Sequence, residues 1–162
     1  MSTRVYVPCS LSRLRGVLVS GGVGPVPILA HAVTDDVRSA LADLGEEEWE
    51  YAVLTAAAQD SLGLIGEDDT PRRVVLVAEA ESVSMLDGAE GSVVEIDEVL
   101  PLRKIVAVHV DSEDAVEAVS AARDAWAAAD AGDAEAARIV ERCADHELGW
   151  FATQEIGELV EE

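Results

Sequence analysis

Two short runs constrain the fold of this chain more than anything else in it: Val74–Ala78 (VVLVA) and Ile105–Val110 (IVAVHV). Both are nearly continuous in apolar residues and rich in β-branched ones. A strand with one wet face alternates apolar and polar side chains, so an unbroken run predicts a strand covered on both faces. Covering both faces takes helices above and below the sheet, which is a layered α/β arrangement. Along the second run, the two-residue repeat of a strand puts Ile105, Ala107 and His109 on one face and Val106, Val108 and Val110 on the other. Asp111 or Ser112 then stands where a helix cap is wanted, with Glu113 and Asp114 beside the positive helix start. Val116, Val119, Ala122 or Arg123, and Trp126 continue at helical spacing.

The remaining segments fit around these two. Val5–Pro8 predicts a first strand, and Ser10 caps a helix carrying Leu11, Leu14 and Leu18 that stops at Gly21-Gly22. The run GGVGP is not a phosphate loop, because such a loop follows a strand and opens a helix, whereas this one follows a helix and meets Pro25 and Pro27. Ile28–Val33 predicts a second strand. Strand, helix and strand in that order predict a parallel, right-handed crossover. Thr34 caps an acidic helix, and Glu46 to Glu48 open a longer one. Its Trp49, Val53, Ala56 and Leu64 fall on one side, with Leu54, Ala58, Leu62 and Ile65 on another, so it is packed on two sides or sits in a self-association interface. Glu81–Gly91, with Asp87-Gly88, reads as irregular. Val93–Ile96 alternates and is expected at a sheet edge. Asp133 caps a helix running through Ile139, Val140 and Cys143. The closing HELGWFATQEIGELVEE reads as helical, with Leu148, Phe151 or Ala152, Ile156 and Leu159 on one stripe. Residues 1–162 are therefore expected to form a single layered α/β domain, with a mixed sheet of about five strands flanked by helices and a helical C-terminal third. A chain this long buries roughly 68–70% of its unfolded surface without a disulfide or metal.

Thirty-three acidic residues against 11 basic ones give a net charge of −22. Direct nucleic-acid binding is not expected, since phosphate affinity needs clustered Lys or Arg and Lys104 is the only lysine. The same charge keeps the chain soluble and suits a basic protein partner, the ordinary alternative being a merely solvated acidic surface. Cys9 and Cys143 fit no metal or redox spacing and read as buried thiols in a reducing compartment. The N-terminus lacks an apolar signal core, and no run reaches the ~18 apolar residues of a membrane span, so a cytoplasmic protein without a membrane partner is expected. No nucleotide-binding, nucleophile-elbow or paired-cysteine pattern is present, and no cofactor or metal is expected.

Three side chains stand near predicted strand ends, where open α/β sheets form crevices: His31, His109 and Cys9. If the strands carrying His31 and His109 are central and parallel, the two rings approach each other and form a candidate pocket, with a general-base role open to His109. The ordinary alternative is a hydrogen-bonded core histidine. His146-Glu147 opens like the zinc-protease pattern HExxH, but Trp150 occupies the place of the second histidine. What remains is a helix face with His146, Trp150 and Gln154 at four-residue steps and Glu147 alongside, a candidate interaction face. Its ordinary alternative is structural packing.

The blocks RVYVP, AHAVT, EEEWEYAVLTAAAQDSL, PRRVVLVAE, VAVHVD and HELGWFATQEI together resemble an uncharacterised family of small acidic actinobacterial proteins, a domain of unknown function. The resemblance spans nearly the whole chain. It implies a bacterial cytosolic protein and supplies no activity, cofactor or catalytic residue. The leading functional expectation is a non-enzymatic interaction protein, using its acidic surface or C-terminal helices against a basic partner. The alternative is a small-molecule-binding protein or enzyme with its pocket near His31 and His109.

Overall fold

The computed structural model describes residues 2–85 and 91–161, so the expectation for Asp87-Gly88 lies outside the described residues. In chain order the strands are β1 (Thr3–Cys9), β2 (Gly22–Val23), β3 (Ile28–His31), β4 (Val74–Ala80), β5 (Val83–Met85), β6 (Val93–Ile96), β7 (Leu100–Pro101), β8 (Ile105–Asp111) and β9 (Leu148–Phe151). The helices are α1 (Leu11–Ser20), α2 (Asp35–Ala40), α3 (Glu46–Ser61), α4 (Val116–Asp130), α5 (Ala134–Cys143) and α6 (Ile156–Glu161). Seven strands form the main sheet in the order β5-β6-β3-β1-β4-β8-β9, while β2 and β7 make a small ribbon.

The α/β layering is as expected, and the two apolar runs are neighbours, with Val74 opposite Val110 and Leu76 opposite Val108. The pairing sense is different. Every pairing among the described residues is antiparallel, and the main sheet has seven strands, not a mixed set of about five. The expected parallel crossover between β1 and β3 is absent: the two are adjacent but antiparallel, with Tyr6 opposite His31. The connection holds more than a helix. After α1 the chain makes the β2 ribbon with β7 and passes Pro25 and Pro27, and this extra excursion lets β3 enter against β1. Val93–Ile96 is second from the edge, because β5 covers its outer side.

Each face of the sheet has its own core. Val5, Val7 and Cys9 of β1 and Val74 and Leu76 of β4 pack with Leu14 and Val17 of α1 and Ile156 of α6. The opposite face joins Tyr6, Val75, Val77 and Ala107 to Val37 of α2 and Val53, Ala57 and Ala58 of α3. A third cluster, Leu62, Ile65, Val119, Ala122, Val140 and Cys143, joins α4 and α5 to the 3-10 turn after α3. The register shifts between Val77 and Ala78, whose partners are Ala107 and Ile105, so Val106 is the extra residue of a β-bulge. The bulge corrects the face assignment, because Ile105 joins the α1 side with Val108 and Val110, not the side of Ala107.

Local chemistry explains most helix ends. The hydroxyls of Ser10 and Thr34 and the carboxylate of Asp133 accept from Arg13, Val37 and Ala136 amides, satisfying orphan donors of the first turn. Gly21 ends α1 in the left-handed conformation, with φ 85°, where its lack of a Cβ removes the steric penalty. Ser112 stands at the N-cap of the 3-10 turn that follows β8, but neither its side chain nor that of Asp111 accepts a cap hydrogen bond there. Asp111 instead forms a buried two-pronged ion pair with Arg73, Nε to Oδ2 at 2.8 Å and Nη2 to Oδ1 at 2.8 Å.

Cutting that pair leaves a buried guanidinium without its counter-charge, a loss of about 3–5 kcal/mol. Asp111→Ala is therefore expected to lower the urea-unfolding free energy by that amount, whereas Asp35→Ala, which removes an exposed i,i+3 pair with Arg38, changes it by under ~1 kcal/mol. Equal effects of the two substitutions would refute the role given to Asp111.

Candidate functional site

The antiparallel sheet separates the two histidines that sequence reasoning brought together. From His31 on β3, through Tyr6 and Val77, to Ala107 on β8, the cross-strand partners share one face, so His31 and His109 both lie on the α3 side. Two strands, β1 and β4, stand between them. Three strand spacings of ~4.8 Å put the backbones on the order of 14 Å apart. Cys9 belongs to the other face.

Both nitrogens of His31 are engaged. Nε2 lies 2.6 Å from Asp60 Oδ2 at the end of α3, and Nδ1 lies 2.6 Å from Ser92 Oγ before β6. The ring is buried, with a side-chain exposure of 7%. It therefore ties helix to sheet, with no ring nitrogen left over for a ligand. Cys9 is equally inaccessible. Burial pushes its thiol up to about 11, against the smaller lowering effects of a hydrogen bond with the Ser10 backbone and of Arg13, so little thiolate forms near neutral pH.

His109 is different. Its Nδ1 is buried and, among the described residues, is the one buried side-chain polar atom without a hydrogen-bond partner. The ordinary reading of a fully bonded core histidine does not hold here. Burial lowers its pKa, so the ring is neutral near pH 7. The ring borders a cavity of about 350 Å³ between the sheet and α3. Tyr51, Leu54, Thr55 and Ala58 form the helix side, and His146, Glu147 and Leu148 form the other. Arg73 reaches the same space, but its charge is spent on Asp111, and its Nη2 also donates to the His146 carbonyl at 2.8 Å.

The segment expected to be a terminal helix is a strand at this point. Leu148–Phe151 pairs along β8, with Trp150 opposite His109, so His146, Trp150 and Gln154 do not form a helix face. Gly149 weakens a helix, aromatic residues suit a strand, and the open edge of β8 offers a ladder of backbone partners that a helix would forgo. His146 and Glu147 precede the strand and line the cavity, whereas Gln154 lies beyond it in an exposed 3-10 turn. Trp150 is 63% exposed on the sheet edge. Of the residues singled out in sequence, the structure thus gathers His109, His146 and Glu147 at the cavity, sets Trp150 beside His109 on the same sheet face but outside the lining, and leaves His31, Cys9 and Gln154 elsewhere. Sequence reasoning missed Tyr51 and Arg73. Paired arginines abutting a buried strand, opposite an acid closing the next strand, were the available signal for Arg73, and it is readable only with antiparallel pairing.

The half-buried ring makes stability depend on pH in a defined direction. With its pKa below the ordinary ~6.5, the unfolded chain takes up this proton first as pH falls. Proton uptake favours unfolding, so His109 contributes fully above pH ~6.5 and its contribution is lost as pH drops toward the lowered value. Urea titrations at pH 7.5 and 5.5 should show wild type losing more stability than His109→Gln. Parallel losses would contradict a half-buried, neutral ring.

Among the described residues, no helix is long and apolar enough to cross a membrane, and no group of three or more His, Cys, Asp or Glu could hold a metal ion. No curated protein and no solved structure matches the chain. The sequence model of a family of unknown function (DUF6912) matches residues 3–160, and with nearly the whole length covered, the chain belongs to that family.

Proposed function

We propose that this protein binds a small, uncharged or cationic polar molecule in the cavity beneath α3. The observation that carries the reading is the unpartnered Nδ1 of His109. A buried polar atom without a partner costs free energy, and the ring that carries it lines the cavity. A molecule seated against that ring gains from a hydrogen bond that satisfies the atom, which selects a polar ligand. The charge of the site sets the rest of the chemistry. Arg73 is neutralised by Asp111, His109 is neutral, and Glu147 stands exposed at the rim. An anion gains nothing from that set, while an amine or amide donor does. The volume is near the lower end of ligand sites, which favours a compact molecule.

A thermal-shift panel of small amines, amides and imidazoles tests this. A true ligand at ~100 times its dissociation constant adds roughly 2.7 kcal/mol, visible as a raised Tm. The expected outcome is a shift with at least one compound that His109→Phe abolishes. A panel that leaves wild type unmoved, or moves His109→Phe equally, defeats the reading.

A second reading is favoured by Trp150. A large exposed aromatic on an open sheet edge, beside Glu147 in a chain of net charge −22, suits capture of a basic protein segment. On this reading the protein is one folded domain acting in the cytosol, where two unpaired buried thiols persist. A pull-down should recover a partner that is lost as salt rises and with Trp150→Ala. Absence of any partner at every salt concentration counts against it.

A further inference from the structure

A larger cleft, about 890 Å³, opens at the other side of His31, where β1 ends and β3 begins. Its floor is apolar, formed by Val7, Val17, Ile28 and Leu76, all buried side chains of the core. Trp126 of α4 closes one side. A Cβ added at Gly63 would lie 2.6 Å from the indole Nε1, so the ring seats this close to the turn after α3 only because residue 63 is glycine. The aromatic face is thereby held at the cleft and not swung out from it.

Arg13 of α1 lines the same space. Its side chain is exposed, and its charge reaches the Cys9 thiol at the cleft wall, whose pKa it lowers slightly. Among the described residues, Arg13 has no ion pair, whereas Arg4, Arg38, Arg73 and Arg138 each hold a carboxylate. Acids outnumber bases threefold in this chain, 33 to 11, yet Arg13 lines this cleft bonded to none of the described ones, which leaves its charge open to an anionic group. Asp60 is the opposing polar group, with one oxygen accepting from His31 and a side-chain exposure of 50%. It repels an anion at its own end and favours a hydrogen-bond donor there.

We infer that this cleft binds a flat apolar molecule carrying one anionic group, a carboxylate or sulfonate, with the anion on Arg13 and the ring system along Trp126. The site is separate from the cavity at His109 and does not depend on it. Its volume falls within the ~300–1,000 Å³ usual for small-molecule sites. The field of the whole protein works against anions, so binding of one reports the local guanidinium and not general attraction.

The probe is 8-anilinonaphthalene-1-sulfonate, which carries an aromatic body, a sulfonate and one N–H donor. Fluorescence titration of the folded wild type should give saturable binding at one site. Arg13→Gln, an exposed position where substitution leaves the fold intact by circular dichroism, should weaken it about tenfold, as expected for loss of one charge-assisted hydrogen bond, and Arg13→Lys should recover part of it. N-phenyl-1-naphthylamine, the same rings without the sulfonate, should bind both proteins alike. No saturable signal with wild type overturns the inference, as does equal affinity in Arg13→Gln. A preference of wild type for the uncharged probe also overturns it.

Discussion

The ion pair between Arg73 and Asp111 fixes the geometry on which the rest of this protein depends. Arg73 enters β4 and Asp111 leaves β8, so one pair sets the register of the two most buried strands. The backbone joins in: the Arg73 amide donates to Asp111 Oδ2 at 2.7 Å, and the Asp111 amide donates to the Arg73 carbonyl at 3.1 Å. Arg72 Nε adds a bond to the Asp111 carbonyl at 2.8 Å. With exposures of 4% and 0%, neither charge can be left alone without a large penalty. Burial disfavours the guanidinium charge, but the hydrogen bond and charge of Asp111 outweigh it and raise the Arg73 pKa. Apolar strands slide easily against one another; a buried charge pair with a single satisfied geometry removes that freedom.

From this anchor the candidate cavity follows. Arg73 also holds the His146 carbonyl, which draws the segment between α5 and β9 over the sheet and turns β9 onto the edge of β8. Helix α3 closes the other side, tied down at its end by Ser61, whose hydroxyl donates to the Cys9 carbonyl and accepts from the Val74 amide. Tied down at that end, α3 spans the sheet with His31 beneath its last turn and His109 below Tyr51 to Ala58. The first histidine is consumed by Asp60 and Ser92. The second keeps an unpartnered nitrogen in a ring that lines the cavity. Two similar residues on the same face therefore have opposite characters, decided by which partners the surrounding loops deliver.

Much of the fold was legible in the chain. Continuous apolar runs at Val74–Ala78 and Ile105–Val110 predict two neighbouring inner strands, because a strand covered on both faces can dispense with polar residues. Ser10, Thr34 and Asp133 announced helix starts, and Gly21 a helix end, because those positions satisfy backbone groups locally. The site was less legible. His109, His146 and Glu147 were each noticed, but as members of different faces. The tail around Trp150 carried a helical spacing that the strand edge of β8 overrode.

The sequence by itself determined the layering, the buried strands, most caps and the acidic surface, since each arises from side-chain patterning over a few neighbouring residues. Tertiary structure alone decided the antiparallel pairing, the bulge at Val106 and the conversion of Leu148–Phe151 to an edge strand. It also decided which histidine kept a free nitrogen. The physical reason is common to all of these. They rest on hydrogen bonds and ion pairs between residues tens of positions apart, such as Arg73 with Asp111 and His31 with Asp60, whose partners no local pattern specifies.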